Sequence, residues 1–240
     1  MDIKIIQCNV KSVTKHKQEL QRTLMSGSYT AAIISETWTK EENENTKIYN
    51  ISGYHMIASS RSDGKVGAAI YLQNKHGYQR IPVNTTSEGI QCTAISVPTL
   101  KLVIVAAYFA PSISQREFQQ DLANIITTLA RYPRVVFGGD FNCHHTAWGN
   151  IKTLPKGAAA MQEINTSDFI LMNDGSPTFK PQQLDKRATA IDLTLVSSNL
   201  ALDTTWEVLE QSVGSHHLLI EISLKETPPP DKKCLQWHTD

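Results

Sequence analysis

Cysteine is scarce and scattered in this chain. Its 240 residues hold four, Cys8, Cys92, Cys143 and Cys234, and no two stand at C-x-x-C spacing. That argues against a disulfide scaffold and for a reduced, intracellular protein. No apolar run approaches the length of a membrane span, so no membrane partner is expected. No basic segment followed by an apolar core opens the chain, so no signal peptide is expected either. Net charge is absent too, with 23 basic residues against 23 acidic ones. This speaks weakly against a protein that coats nucleic acid without specificity, yet leaves room for a local basic groove. Basic residues do cluster: Lys11, Lys15, His16 and Lys17 early, Arg61 and Lys65 beside a turn, and Lys180, Lys186 and Arg187 late. There is no internal sequence repeat. What is present is a hydrophobic content of 40%, which suits one large core rather than disorder.

The hydrophobic pattern predicts strands at 3–10, 31–36, 54–59, 66–72, 90–97, 101–109, 169–172, 190–197 and 218–224, and one more at the Val135-Val136-Phe137 run that leads to Asp140, with Gly- or Pro-containing breaks between many of them. Helices are expected at 15–25, 115–130 and 157–165. The second is best defined: Ser114 and Glu117 form a capping-box pair, and Phe118, Leu122, Ile125, Ile126 and Leu129 make one apolar stripe. A strand-rich chain with interspersed helices and hairpins suits an α/β (α+β) fold of two stacked mixed β-sheets flanked by helices, a four-layer αββα sandwich. Residues 1–225 read as one domain. The tail at 226–240, with Pro228, Pro229 and Pro230, reads as a linker.

The chemistry shows first at 135–142. The apolar run Val135-Val136-Phe137 is cut off by Gly138 and Gly139, and Asp140 and Asn142 follow two residues apart. In extended chain both side chains face one way, although the same residues also suit a plain turn. Other apolar runs end in a polar residue as well: Asn9, Glu36, Tyr108 and Asp192. His216 and His217 precede the last apolar run. Strands laid side by side would gather these on one rim, whereas each taken singly also fits a surface or core position. Three carboxylates together raise one another's pKa unless a cation is present. An oxygen-rich set favours Mg²⁺ or Mn²⁺ over zinc, and phosphate-ester hydrolysis is the matching chemistry. Cys143, His144 and His145 have no second ligand pair nearby, which disfavours a zinc site.

Six short motifs occur in order: Gln7-Cys8-Asn9, Ser35-Glu36-Thr37, Ala107 to Pro111, Gly139 to Asn142, Ile191-Asp192-Leu193 and Ser215-His216-His217. Over residues 3–224 the chain resembles the endonuclease/exonuclease/phosphatase superfamily, the DNase I-like nucleases. Asp140 to Gly149, Asn173 to Phe179 and Ile191 to Ser197 make it resemble, more narrowly, the apurinic-type endonuclease domain of non-LTR retrotransposons. The resemblance implies that Glu36 is the principal metal ligand with Asn9 beside it, and that Asp140 activates the attacking water. It implies that Asn142 and Tyr108 hold the scissile phosphate and that His217 contacts a phosphate oxygen, oriented by Asp192. It also implies a Mg²⁺-dependent cut in one strand of double-stranded DNA. The resulting 3′-hydroxyl would prime a reverse transcriptase domain of the same polyprotein, in the nucleus.

Two positions depart from the family pattern. His216 stands where the family often has Asp, and a one-residue shift of register would make His216 rather than His217 the catalytic imidazole. Lys11 stands where repair enzymes tend to carry Asp, and a cation there can meet DNA phosphate. Lys180, Lys186 and Arg187 belong to a polar loop at 180–190 that the resemblance makes a DNA-contacting hairpin, and His144 and Trp148 are expected to shape a loop beside the DNA or simply to pack that loop. The competing expectations are an apurinic-site repair nuclease and, because of His216, a DNA-binding module with weakened catalysis.

Overall fold

The computed structural model describes residues 2–39, 49–59, 64, 66–183 and 185–225. Two sheets of six strands stack face to face. The first contains β1 (Ile3–Asn9), β2 (Ala31–Ser35), β3 (Tyr54–Ser59), β4 (Ala68–Gln73), β11 (Thr204–Val208) and β12 (Ile220–Leu224) in the order β11-β12-β1-β2-β4-β3. The second contains β5 (Gln79–Ile81), β6 (Ile90–Val97), β7 (Leu102–Phe109), β8 (Val135–Asp140), β9 (Phe169–Leu171) and β10 (Asp192–Ser197) in the order β5-β6-β7-β8-β10-β9. Each sheet has one parallel pair at its centre, β1 with β2 and β7 with β8, and every other pairing is antiparallel. Parallel neighbours need a crossover, which α1 (Val13–Ser26) and α2 (Gln115–Leu129) provide; α3 (Pro155–Asn165) packs beside α2.

Alternation along the strands fills three apolar layers. Ile5, Ile33, Ile70 and Ile222 of the first sheet meet Ile95, Ile104, Val136 and Val196 of the second. Leu20 and Leu24 of α1 cover the outer face of the first sheet against Ile6, Cys8 and Ile34. The expected stripe of α2, with Ala159 and Ala160 of α3, covers Val105, Phe137 and Leu195 outside the second. The four-layer αββα sandwich expected from the sequence is what forms.

The Ser114–Glu117 capping box is present in full. Two strands were not expected. β5 is three residues long with only Ile81 buried, and β11 follows directly on a short 3₁₀ segment. The strand expected from 218 starts at Ile220, because the Leu218 N–H bonds outside the sheet to the Thr178 carbonyl at 2.7 Å. Arg61, Lys65 and the 226–240 tail lie outside the described residues. Cys8, Cys92 and Cys143 are free thiols.

One polar strut crosses the apolar layer between the sheets. Gln7 of β1 is buried, and its Nε2 donates to the carbonyls of Gly139 at 3.3 Å and Leu193 at 3.1 Å. Its Oε1 accepts from the Thr194 hydroxyl at 2.9 Å. The strut explains Gly138, and the neighbouring strand β7 explains Gly139. A Cβ on Gly138 would sit 2.1 Å from Gln7 Oε1, and one on Gly139 would sit 1.9 Å from the Ala107 carbonyl oxygen. Gly138→Ala is therefore expected to destabilise the fold by about 1–3 kcal/mol, the usual cost of overpacking a tight core, measured by urea unfolding.

Candidate active site

The topology gathers the polar strand ends on one rim. The parallel strands β1, β2, β7 and β8 deliver their C-terminal ends there. β10 runs antiparallel to β8 and β12 antiparallel to β1, so they deliver their N-terminal ends. Asp192 therefore opens its strand, whereas Asp140 closes its own. Register puts Tyr108, Asp140 and Asp192 side by side across three strands, and Asn9 beside Ser35.

These groups form one hydrogen-bonded set. The Asn9 Nδ2 donates to Glu36 Oε1 and to Asp140 Oδ2, both at 2.9 Å. Its Oδ1 accepts the Lys11 backbone N–H at 3.1 Å. The Asn142 N–H donates to Asp140 Oδ1 at 3.0 Å, and its Nδ2 donates to the Phe109 carbonyl at 3.1 Å. Asn142 and Glu36 both adopt left-handed backbone, φ 46° and 51°, a strain that surrounding contacts must hold. His217 Nδ1 lies 2.9 and 3.1 Å from the two oxygens of Asp192, and its Nε2 faces Asp140 Oδ2 at 3.9 Å. His217 rather than His216 is thus the buried, paired imidazole, and His216 stands at the cleft edge beside Phe179.

Residues without an expected role hold this set in place. The Thr178 hydroxyl donates to Asp192 Oδ2 at 2.6 Å and accepts the N–H groups of Ile191 and Asp192 at 3.1 Å. The Ser215 hydroxyl donates to the Asn9 carbonyl and accepts the His217 N–H. The Ser35 hydroxyl donates to the Ala107 carbonyl at 3.0 Å and accepts the Asp140 N–H at 3.2 Å, tying the two sheets together beneath the site. For Ser35 and Ser215 the signal in the sequence is adjacency, since each opens a motif that carries a reactive group; Thr178 lies in the Asn173–Phe179 segment, which carries none.

Burial and charge set the protonation states. Burial, and then the neighbouring Asp192 carboxylate, push Asp140 up to about 7. Burial alone would lower the His217 imidazolium, but Asp192 by charge and hydrogen bond, with Asp140 and Glu36, lifts it to about 9. Burial and the Glu36 and Asp140 charges raise the Tyr108 phenol, which stays protonated as a donor at neutral pH.

Asp140, Asp192 and His217 offer atoms within 4.8 Å of one another. Asp192 and His217 are already satisfied by each other and by Thr178, so the oxygens best placed for a cation are those of Glu36 and Asp140, converging on one amide nitrogen. Hard, anionic oxygen donors of this kind suit Mg²⁺ or Mn²⁺. Asn9 presents nitrogen to them, and serves as an oxygen ligand only with its amide turned over.

A cleft of about 380 Å³ opens over the set. Glu36, Tyr108, Asp140, Asn142 and His217 line it, with Lys11 on one side and His144, Lys186 and Arg187 on the other. The 180–190 loop is a hairpin at its base, closed by Phe179 N–H to the Thr189 carbonyl at 2.9 Å and the reciprocal bond at 3.0 Å. Two residues expected at the DNA are placed elsewhere. Trp148 is fully buried in the α2/α3 core with His145 stacked on it, so its ring packs the loop and does not face the cleft. Lys180 is exposed outside the cleft lining, its backbone N–H bonded to the His216 carbonyl at 2.9 Å.

Residues 102–221 match a family model described as "Endonuclease-reverse transcriptase". The chain is 22% identical over 229 residues to an RNA-directed DNA polymerase from mobile element jockey of Drosophila melanogaster, covering 94% of this chain and 24% of that protein. It is 24% identical over 252 residues to a probable RNA-directed DNA polymerase from transposon BS of the same fly, covering 99% and 26%. The chain thus spans about a quarter of the length of the curated relatives it matches. Among solved structures it superposes on the endonuclease domain of TRAS1, a telomere-specific non-LTR retrotransposon, with TM-score 0.76, 20% identity, and 94% and 99% of the two chains covered. It also superposes on the AP endonuclease LMAP from Leishmania major with TM-score 0.73, 13% identity, and 94% and 88% covered.

The His217–Asp192 pair gives a test by pH. A folded-state pKa above the unfolded one, about 6.5, means the protonated pair stabilises the fold fully below that pH and the contribution is lost as pH rises through about 9. Asp192→Asn removes the main raising partner and leaves burial acting downward. The His217 ring, followed by NMR titration, is expected to titrate well below the wild-type value of about 9.

Proposed function

The chain belongs to the Endonuclease-reverse transcriptase family, and from that premise we propose that this phosphodiester-hydrolysing nuclease is a Mg²⁺-dependent DNA endonuclease. It cuts one strand of double-stranded DNA in the nucleus and leaves a 3′-hydroxyl from which a reverse transcriptase in the same polyprotein extends. The observation that carries the reading is the convergence of Glu36, Asn9, Asp140, Asn142 and the Asp192–His217 pair from separate segments into one cleft with a basic rim.

The roles follow from the contacts. Glu36 would hold the cation, joined by Asn9 once its amide is turned over; when bound, the cation polarises a phosphoryl oxygen. Asp140, held in place by the Asn9 amide and the Asn142 N–H, takes the proton of the attacking water. Water oxygen bonds to phosphorus, the P–O3′ bond breaks, and the leaving 3′-oxygen takes a proton from solvent. The Tyr108 phenol and the second amide hydrogen of Asn142 donate to the scissile phosphate. Protonated His217 offers its Nε2–H to a phosphate oxygen as charge builds there, with Asp192 and Thr178 fixing the ring. His216, where the resemblance expects Asp, adds no carboxylate, so acid–base work rests on Asp140 alone.

Supercoiled plasmid is expected to become open-circle with Mg²⁺ and to stay supercoiled in EDTA. Asp140→Ala is expected to slow nicking by about 10²–10⁴-fold, the worth of a positioned general base. DNA polymerase extension from the nick would demonstrate the 3′-hydroxyl. Strong preference for an abasic oligonucleotide over intact duplex would instead assign a repair role, and binding without nicking would assign a DNA-binding module.

The hairpin between Phe179 and Thr189 carries Lys186 and Arg187 to the cleft. Replacing residues 181–188 is expected to move the preferred nick positions on a sequencing gel while generic plasmid nicking persists, since cations on such a loop read groove width and phosphate position.

A further inference from the structure

Trp38 stands beside the site with no role assigned to it so far. It is 45% exposed, and its backbone is left-handed at φ 52°, two residues after Glu36 at φ 51°. Such conformations persist at bulky residues only where neighbours impose them. Here the Thr37 N–H donates to the Gly67 carbonyl at 3.3 Å and the Trp38 N–H to the Val66 carbonyl at 2.9 Å. The buried Thr37 and Thr39 hydroxyls lie 3.1 Å apart. Alternation buries the two threonines and turns the indole outward. Its Nε1–H reaches back to Glu36 Oε2 at 3.3 Å, while Glu36 Oε1 accepts from Asn9 at 2.9 Å. Each oxygen of that carboxylate thus has one neutral donor, and much of the indole remains in water. Lys11 is on the same side of the cleft, since the next residue, Ser12, donates its N–H to the Glu36 carbonyl at 2.9 Å.

We propose that Trp38 has two linked tasks: its indole N–H fixes the orientation of the Glu36 carboxylate, and its exposed ring stacks on a nucleobase or deoxyribose of DNA laid across the cleft. The proposal rests on the DNA-nuclease reading above. Among the described residues lining the cleft, the first-sheet side contributes Lys11, against Lys186 and Arg187 from the hairpin opposite. An aromatic platform there extends the footprint without adding charge, and it tolerates sequence because every nucleotide of the backbone presents the same deoxyribose to it.

Two variants separate the tasks. Trp38→Phe keeps a ring and loses the N–H; Trp38→Ala loses both. With EDTA present, anisotropy on a short labelled duplex is expected to show Kd raised about tenfold for Trp38→Ala, in the range of one base–aromatic stack, and near wild type for Trp38→Phe. In plasmid nicking, Trp38→Phe is expected to need several-fold more Mg²⁺ for half-maximal rate with an unchanged KM for DNA. In a Trp237→Phe background, used for every emission reading, tryptophan emission should be quenched by duplex in EDTA, and that quenching should vanish when Trp38→Phe is added, since Trp148 is fully buried and Trp206 packs against the core between the sheets; this reading stands even where Trp38→Ala fails to fold. Wild-type Kd in Trp38→Ala, or quenching retained in Trp38→Phe, overturns the stacking task. Unchanged Mg²⁺ dependence in Trp38→Phe overturns the orienting task. A wild type that does not nick overturns the nuclease reading instead, while binding in EDTA still decides the stacking task.

Discussion

Two carboxylates, Asp140 and Asp192, face each other as register partners on neighbouring strands, and both are buried. Like charges opposite one another in a sheet destabilise it, and burial adds the cost of removing each from water. Much of the site's construction answers that repulsion. Asp192 is neutralised by His217 and hydrogen-bonded by Thr178; Asp140 receives the Asn9 amide and the Asn142 backbone N–H. Unequal compensation makes the pair chemically useful. Asp192 keeps an imidazolium in hydrogen-bond contact, while Asp140 meets it only at 3.9 Å and is otherwise held by neutral donors, so burial and Asp192 still push it up to about 7.

The two sheets repeat one plan. Each runs antiparallel, antiparallel, parallel, antiparallel, antiparallel across its six strands, and in each a helix links the parallel pair. Loops at the carboxyl ends of parallel strands are where open sheets place their ligands. Stacking two such sheets with these ends on one rim brings four loops to one place, and the antiparallel neighbours add the starts of β10 and β12. No repeat is visible in the sequence, since the plan lies in pairing and direction, which many residue choices satisfy. Gln7 and Ser35 hold the two halves in register beneath the site, so the distance from Glu36 to Asp140 is set by buried hydrogen bonds rather than by the mobility of loops.

Much of the architecture was legible because it follows from local rules. The α2 stripe and its capping box, the apolar strands and their polar termini all read directly from spacing. The rim was legible only as a condition, that the strands lie side by side, since no single motif states which ends meet. Reach was read less well than position. Trp148 sits in a motif-rich loop and was expected at the DNA, yet burying its ring against α3 and His145 removes more apolar surface from water than a groove contact would. Trp38 carried no expectation, although it follows Glu36 by two residues. Its exposure depends on the left-handed turn at Glu36 and on two buried threonines, neither of which hydrophobic periodicity reports.

Zero net charge and a polyanionic substrate are compatible once charge is considered by place. The cleft floor is acidic, and its cations stand apart at the rim, Lys11 on one side and Lys186 with Arg187 on the other. A phosphate backbone crossing between them meets attraction at the edges and repulsion at the centre. A divalent cation relieves that central repulsion. On the nuclease reading, the ion that serves the chemistry also eases the centre of the footprint, while contacts at the rim hold DNA without it.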